Sequence, residues 1–243
     1  MLELTFLGSG NAFTPSGRYW SSFLANGRYL FDAPPTLLPH LKRLGRSPDD
    51  LSVVFVTHFH GDHFMGLPFL FLDYLYLSPR QRDLYVAGPP GIEAFIEGFI
   101  DQCFPNLAQA KTVYQRVYIE ADPKQEQIVA DLAFRAVPVK HAQGRLRCFG
   151  YKLALGGKTL AYTGDTEYCD AVYQLAEGAD VLVLDCTYAV RGPEHMGFQD
   201  VLEIRKTVSP QTTLILTHLE QEPNVSGLDN VIVAQDFATY RFD

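Results

Sequence analysis

The stretch THFHGDHFMGL, residues 57–67, places His58, His60, Asp62 and His63 within six positions of a chain that has only seven histidines. It follows the apolar run SVVFV and leads into a glycine-containing turn. His58 and His60 lie two apart, so in extended backbone their imidazoles point the same way. Gly61 lets the chain turn, which aims Asp62 and His63 at a neighbouring point. One ion does not take four ligands comfortably from so short a segment, whereas two adjacent ions do. A solvated, histidine-rich loop is the competing reading, and the density of the cluster weighs against it.

Further apolar runs end in residues of the same kind. AVPVKH ends at His141, LAYTGD at Asp165 and TLILTH at His218, just as SVVFVTH ends at His58. Taken singly, His141 or His218 reads as a satisfied structural histidine, and Gly-Asp is common turn chemistry. Together they describe ligands delivered to one end of a core by rigid elements. The candidate metal ligands are therefore His58, His60, Asp62, His63, His141, Asp165 and His218. Seven ligands suffice for two divalent ions with a shared carboxylate and a bridging hydroxide. Imidazole and carboxylate suit zinc first, then manganese or iron. Two ions roughly 3.5–4 Å apart are the usual arrangement for phosphodiester hydrolysis, and they bring the pKa of bound water down to about 7.

The rest of the chain sets the frame. At 243 residues, with 47% hydrophobic and 20% charged, it has the composition of a soluble globular protein with a large core, read here as one domain over residues 1–243. The net charge of −8 weighs against a broad basic surface for nucleic acid. Cys103, Cys148, Cys169 and Cys186 show no CxxC spacing, so they imply neither a disulfide framework nor a zinc knuckle. Cys169 and Cys186 are expected in or near the core. The opening MLELTFLGSG alternates like a strand and lacks a basic leader region. The longest apolar stretch, MGLPFLFLDYLYL, is broken by Pro68 and Asp73 and is too short to span a bilayer. A cytoplasmic protein without membrane contact is expected.

Strand-like runs recur along the chain, among them LELTFL, RYLFDA, DLYVAG, IVADLAFRAVPV, FGYKLAL, DVLVLDCT and NVIVAQDF. Gly156-Gly157 between LAL and KTLAY is a two-residue hairpin signal. Helical patterns fit PPTLLPHLKRLG, GIEAFIEGFIDQC, CDAVYQLAEGA and FQDVLEIRKTV. His40 in the first of these reads as a surface or packing residue. Strands and hairpins with a few helices in both halves predict an α+β sandwich, with two mixed sheets face to face and helices outside.

With these residues in place the sequence resembles the metallo-β-lactamase-fold hydrolases. The likeness runs from FLGSGNAF through FVTHFHGDHFMGLP, YVAGPPG, VKH, YTGDT and VLDCTY to LTHLE. It implies a four-layer αβ/βα sandwich with a dinuclear site at one edge. By resemblance, His58, His60 and His141 hold the first metal, Asp62, His63 and His218 the second, and Asp165 bridges. The flavodiiron branch usually has a glutamate in place of His60, which disfavours an oxygen-reducing reading. In the ribonuclease Z branch and the related cyclic phosphate phosphodiesterases of the PhnP type, a histidine one helix upstream of the last ligand contacts the scissile phosphate. His195 occupies that position, so Asp62 and His195 are the candidate catalytic residues. Asp185, in VLVLDCTY, reads either as a residue that orients His195 or as a cap for the next turn.

The departures narrow the expectation. Ribonuclease Z enzymes carry a long arm between the third histidine and the bridging aspartate, whereas only 23 residues separate His141 from Asp165 here. The PhnP-type enzymes have a cysteine-bound zinc near the N-terminus, and NAFTPSGRYWSS has no cysteine. The usual DxG reads FDAPP, with Ala33 and Pro34, and Phe237 stands where relatives often show glycine. Phe64, Phe69, Phe71, Tyr74 and Tyr76 read mostly as core by helical spacing, with Phe64 and Tyr74 or Tyr76 as candidates to line a pocket. Arg145 and Arg147 are either phosphate contacts or surface charges. The expected function is hydrolysis of a small cyclic or nucleotide-like phosphodiester by two divalent ions. The alternatives are a ribonuclease Z without its arm, or a lactonase or thioesterase that uses the same site on a carbonyl. Relatives are often homodimers.

Overall fold

The computed structural model describes residues 1–14, 17–78 and 80–243. One mixed sheet of seven strands is built from β1 (Leu2–Gly8), β2 (Ser22–Ala25), β3 (Tyr29–Phe31), β4 (Val53–Phe55), β5 (Leu84–Gly88) and β6 (Arg116–Glu120). The C-terminal β14 (Thr239–Phe242) pairs beside β1. The second sheet runs from β7 (Gln127–Val129) through β8 (Leu132–Pro138), β9 (Phe149–Leu155), β10 (Lys158–Tyr162), β11 (Val181–Asp185) and β12 (Thr213–Thr217) to β13 (Val231–Val233). Each sheet is antiparallel in its first part and parallel after it, from β3 onward in the first and from β10 onward in the second.

Parallel neighbours need crossovers, and helices supply all of them except β12–β13, which is joined by loop alone. The β3–β4 crossover carries α1 (Leu37–Arg43); β4–β5 carries α2 (Gly61–Phe64) and α3 (Leu67–Tyr76); β5–β6 carries α4 (Ile92–Cys103) and α5 (Pro105–Ala108). In the second sheet, α6 (Asp170–Ala176) and α7 (Phe198–Thr207) do the same for β10–β11 and β11–β12. Leu37, Leu41, Leu70 and Ile96 from the first group of helices pack against Val54 and Val86. Val172, Leu175, Val201 and Ile204 from the second group pack against Leu182 and Leu214. The four layers expected from the sequence are present.

Between the sheets lies a core rich in aromatics. Phe23 stacks on Phe31 with centroids 4.6 Å apart and Phe31 on Phe55 at 5.0 Å, while Tyr162 from the opposite sheet meets Phe23 and Phe31 edge-on. Because β4 is buried on both faces, it reads as the continuous run SVVFV. In β8, by contrast, Leu132, Phe134 and Ala136 are buried while Ala133 and Arg135 are exposed, giving strict alternation. Gly156 and Gly157 both have positive φ and close the β9–β10 hairpin as expected.

Several elements escape the sequence pattern. β2, β6 and β14 are four or five residues long and carry no distinct signal. IVADLAFRAVPV reads as one strand but forms two, β7 and β8, because the chain turns at Ala130 with φ 54°. His40 is a packing residue, buried between the rings of Tyr19 and Phe237 at 4.4 and 5.0 Å. Phe237 itself has φ 64°, the left-handed region that favours glycine, and the Arg43 guanidinium lies 4.1 Å from its ring. All four cysteines are free; Cys148 and Cys186 are buried, Cys169 is half-buried and Cys103 exposed. Among the described residues no helix is long and apolar enough to cross a membrane.

Candidate metal centre

β8, β10, β11 and β12 share one direction in the second sheet, as do β3 and β4 in the first, and their C-terminal ends deliver the site. His58 follows β4, and His60 caps α2, which carries Asp62 and His63. His141 lies just beyond β8, Asp165 beyond β10 and His218 directly after β12. Donor atoms of His58, His60, His141 and Asp165 lie within 4.8 Å of one another, and so do those of Asp62, His63 and His218. Asp165 Oδ2 stands between the two groups. It is 3.2 Å from both His63 Nε2 and His218 Nε2, 3.8 Å from His58 Nε2 and 3.9 Å from His141 Nε2. All seven residues singled out by the sequence are brought together.

The rings are aimed by partners on their far side. His63 donates Nδ1–H to Asp32 Oδ2 at 2.9 Å, and His141 donates Nδ1–H to the Glu194 carbonyl at 2.8 Å. His58 donates Nδ1–H to Thr57 Oγ1 at 3.0 Å, and Thr57 in turn donates to Asp32. His218 is held the same way, by Thr187 Oγ1 at 2.8 Å, with Thr187 donating to Asp185 at 2.8 Å. Four imidazoles therefore carry their proton on Nδ1 and turn Nε2 inward, the arrangement in which outer partners fix the tautomer of metal-binding histidines. Asp32 sits at φ 58° and also accepts from Thr57 N–H at 2.8 Å and from the Tyr162 hydroxyl at 2.9 Å.

The inward atoms fit cations. His63 Nε2, His218 Nε2 and Asp165 Oδ1 are buried and have no hydrogen-bond partner. His60 Nδ1 faces His58 Nε2 at 2.9 Å and His141 Nε2 at 3.1 Å, and a single proton on His60 cannot serve both lone pairs. Burial pushes the His58 pKa well below the usual histidine range, so its lone pair is free. At His63 burial also opposes charge, but the carboxylates of Asp165, Asp62 and Asp32 outweigh it and raise the pKa well above normal. A field that holds a proton there attracts a divalent cation equally. Donors limited to nitrogen and carboxylate oxygen match zinc or manganese.

Above the cluster opens a cavity of about 600 Å³, lined in part by His60, Asp62, His141, Asp165, His195 and His218. His195 stacks on His218 at 4.9 Å and donates Nδ1–H to Asp185 Oδ2 at 2.7 Å, which leaves Nε2 as the ring nitrogen available to the cavity. Burial disfavours its charge, but Asp185 more than offsets this and lifts the pKa to about 9. Asp185 also accepts from the backbone N–H of Thr166 and Thr187, so it both orients His195 and caps the following turn. Arg145 lines the cavity, whereas Arg147 is exposed elsewhere on the same loop.

These features have counterparts in known proteins. A family model described as a beta-lactamase superfamily domain matches residues 27–219. The chain belongs to that superfamily. A protein named ribonuclease Z from Methanosarcina acetivorans is 26% identical, with 97% of this chain and 96% of the relative covered. Human tRNase Z, short form, superposes with a TM-score of 0.76 at 23% identity, covering 98% of each chain. A diphosphatase of the PhnP family gives 0.75 at 19% identity, covering 100% of this chain and 98% of that one. At these identities the two structures share the fold with this chain.

For a member of this superfamily, sequence reasoning singled out the residues that cluster at the centre and missed those around them. Asp32 stood in FDAPP only as part of an altered loop. In fact Ala33 N–H donates to the His63 carbonyl at 2.7 Å and Gly66 N–H to the Ala33 carbonyl at 2.8 Å, so that loop braces α2 from outside. The chain comes close at Gly66, where a Cβ would meet the Pro34 carbonyl at 2.1 Å. The expectation for the aromatics is corrected in part. Phe64, Phe71 and Tyr74 are core and Phe69 and Tyr76 exposed, but none of them lines the cavity. Phe13 and Tyr188 do, and neither carried a local signal.

Proposed function

We propose that the protein is a dinuclear-metal hydrolase that cleaves a small phosphodiester, cyclic or nucleotide-like. The observation that carries this reading is the Asp185-anchored His195 in the wall of a cavity floored by the ligand cluster. His58, His60 and His141 would hold one ion, Asp62, His63 and His218 the other, with Asp165 shared; zinc is the first candidate and manganese the second. Bound there, two such ions would supply hydroxide near neutral pH and Lewis-acid stabilisation of a phosphate.

The chain's own groups account for the rest. His195, with Nδ1 tied to Asp185 and a raised pKa, holds a proton on Nε2 at neutral pH. From there it stabilises the negative charge that develops on the phosphate and passes the proton to the departing alkoxide. Asp62, beside His63 and His218 on the cavity floor, is kept ionised: burial opposes this, but His63 and His218 together outweigh it and hold the carboxyl far below the usual range. Arg145 at the rim offers a guanidinium to a second phosphate oxygen. The free cysteines suit a reducing compartment, and we assign the cytoplasm.

The test is His195→Ala. Diester turnover should fall by about 10²–10⁴-fold, the usual range for loss of a general acid, while metal content stays that of the parent. Unchanged turnover would remove His195 from the reaction. The relatives named ribonuclease Z favour a second reading, cleavage of precursor tRNA. Against it stand the net charge of −8 and the use of residues 149–162 for the β9–β10 hairpin, where those enzymes carry an arm. The alignment to the Methanosarcina protein also spans 304 positions against 243 residues here, so part of that relative has no counterpart in this chain. Inertness toward precursor tRNA beside turnover of small diesters would decide for the first reading. Turnover of carboxylic esters alone, independent of His195, would point to carbonyl chemistry instead.

A further inference from the structure

The loop that carries Phe13 is pinned by its backbone, while its ring is left in water. Phe13 N–H donates to Oδ1 of the buried Asn11 at 3.1 Å, and Thr14 N–H donates to the Asn11 carbonyl at 3.0 Å. Trp20 Nε1–H holds the Ala12 carbonyl at 3.0 Å. Asn11 N–H donates to the carbonyl of Leu219, next to His218, so the loop is registered to the site itself. Yet Phe13 is 84% exposed. A phenyl ring so placed contributes nothing to the core, and here it lines the cavity with His195 and Tyr188.

Tyr188 is a second fixed aromatic in the same wall. Its N–H donates to the Met196 carbonyl at 3.2 Å, and its ring lies edge-on to His195 at 6.0 Å. The close approach of Gly192 helps hold that ring, because a Cβ there would come within 2.1 Å of it. Two aromatics beside a polar, metal-binding floor match a ligand with a planar π-face next to a phosphate.

We infer that Phe13, with Tyr188, is a specificity-determining residue that stacks on a planar aromatic ring carried beside the substrate's phosphate. The inference rests on the phosphodiesterase reading for the phosphate end and adds the chemistry of the other end. The substrate is a ring-bearing phosphodiester rather than a bare sugar cyclic phosphate. The ring has two possible sources, a nucleobase or an aryl ester, and both present the same π-face.

The experiment uses the full-length, metal-loaded protein and titrates adenosine 5′-monophosphate, phenyl phosphate and ribose 5-phosphate by calorimetry, in the parent and in Phe13→Ala. At least one ring-bearing ligand should bind the parent about tenfold more tightly than ribose 5-phosphate. That preference should shrink to within about twofold in Phe13→Ala and return in Phe13→Tyr, as expected when a stacking partner is removed and restored. A preference for the adenosine ligand alone supports a nucleobase, and one shared with or confined to phenyl phosphate supports an aryl group. Equal affinity for all three in the parent, binding of none, or a preference that survives Phe13→Ala overturns the inference. These readouts need no turnover. Failure to hydrolyse any diester would therefore sink the proposed function and leave a positive binding result standing.

Discussion

Asp32 and Asp185 each hold two histidines, one directly and one through a threonine. Asp32 holds His63 and, through Thr57, His58; Asp185 holds His195 and, through Thr187, His218. Both carboxylates are fully buried, so every donor aimed at them matters. Asp32→Asn puts an amide where His63 Nδ1–H or the Tyr162 hydroxyl needs an acceptor. Outer-partner mutations of this kind cost 10–100-fold in metal affinity, and we expect a loss of about that size when the variant competes with a chelator. Tyr162→Phe removes only the contact from the core side and should stay within a few-fold of the parent. Unchanged affinity in Asp32→Asn would mean that His63 is aimed by something else. The candidate inner ligands were legible in the sequence because few residue types bind metal and their spacing is dense. The outer ones were not. His141 is held by the Glu194 carbonyl, an atom that every residue possesses.

At the scale of elements, the long strands and amphipathic helices declared themselves, and the short pieces did not. The four helical runs read from the sequence appear as α1, α4, α6 and α7. β2 and β14 are four residues each and depend on pairing with β1 rather than on their own pattern. The β7–β8 turn was hidden because alanine, at Ala130, takes a conformation normally announced by glycine or asparagine. α1 carries a pH-sensitive contact. Burial lowers the His40 pKa, outweighing the opposing pull of Asp236. As pH falls below about 6.5, the unfolded chain takes up this proton before the folded one does. Stability should therefore be intact above that pH and decline as pH falls from it toward the folded pKa. His40→Gln should flatten this part of the stability profile relative to the parent. The check is chemical denaturation of both at a series of pH values between about 5 and 8, and parallel curves would show that His40 contributes no such slope.

For the whole molecule, the two halves repeat one plan: antiparallel strands, then parallel strands with helical crossovers, with the carboxyl ends of both sets meeting at one edge. The site sits where the two sets meet. Asp32, His58, His60, Asp62 and His63 come from the first half, and His141, Asp165, Asp185, His195 and His218 from the second. This explains why seven candidate ligands scattered from residue 58 to residue 218 converge, and why no single segment of sequence could show the complete site. It also places the cavity wall, with Phe13 and Tyr188, on loops from both halves. The central claim is that this junction holds two ions and acts on phosphodiesters. The most direct measurement is hydrolysis of bis(p-nitrophenyl) phosphate by metal-reconstituted protein, beside a p-nitrophenyl carboxylic ester, with metal counted on the same sample. We predict turnover of the diester with about two ions per chain. Turnover of the ester alone, or diester turnover that survives complete removal of metal, would contradict the account.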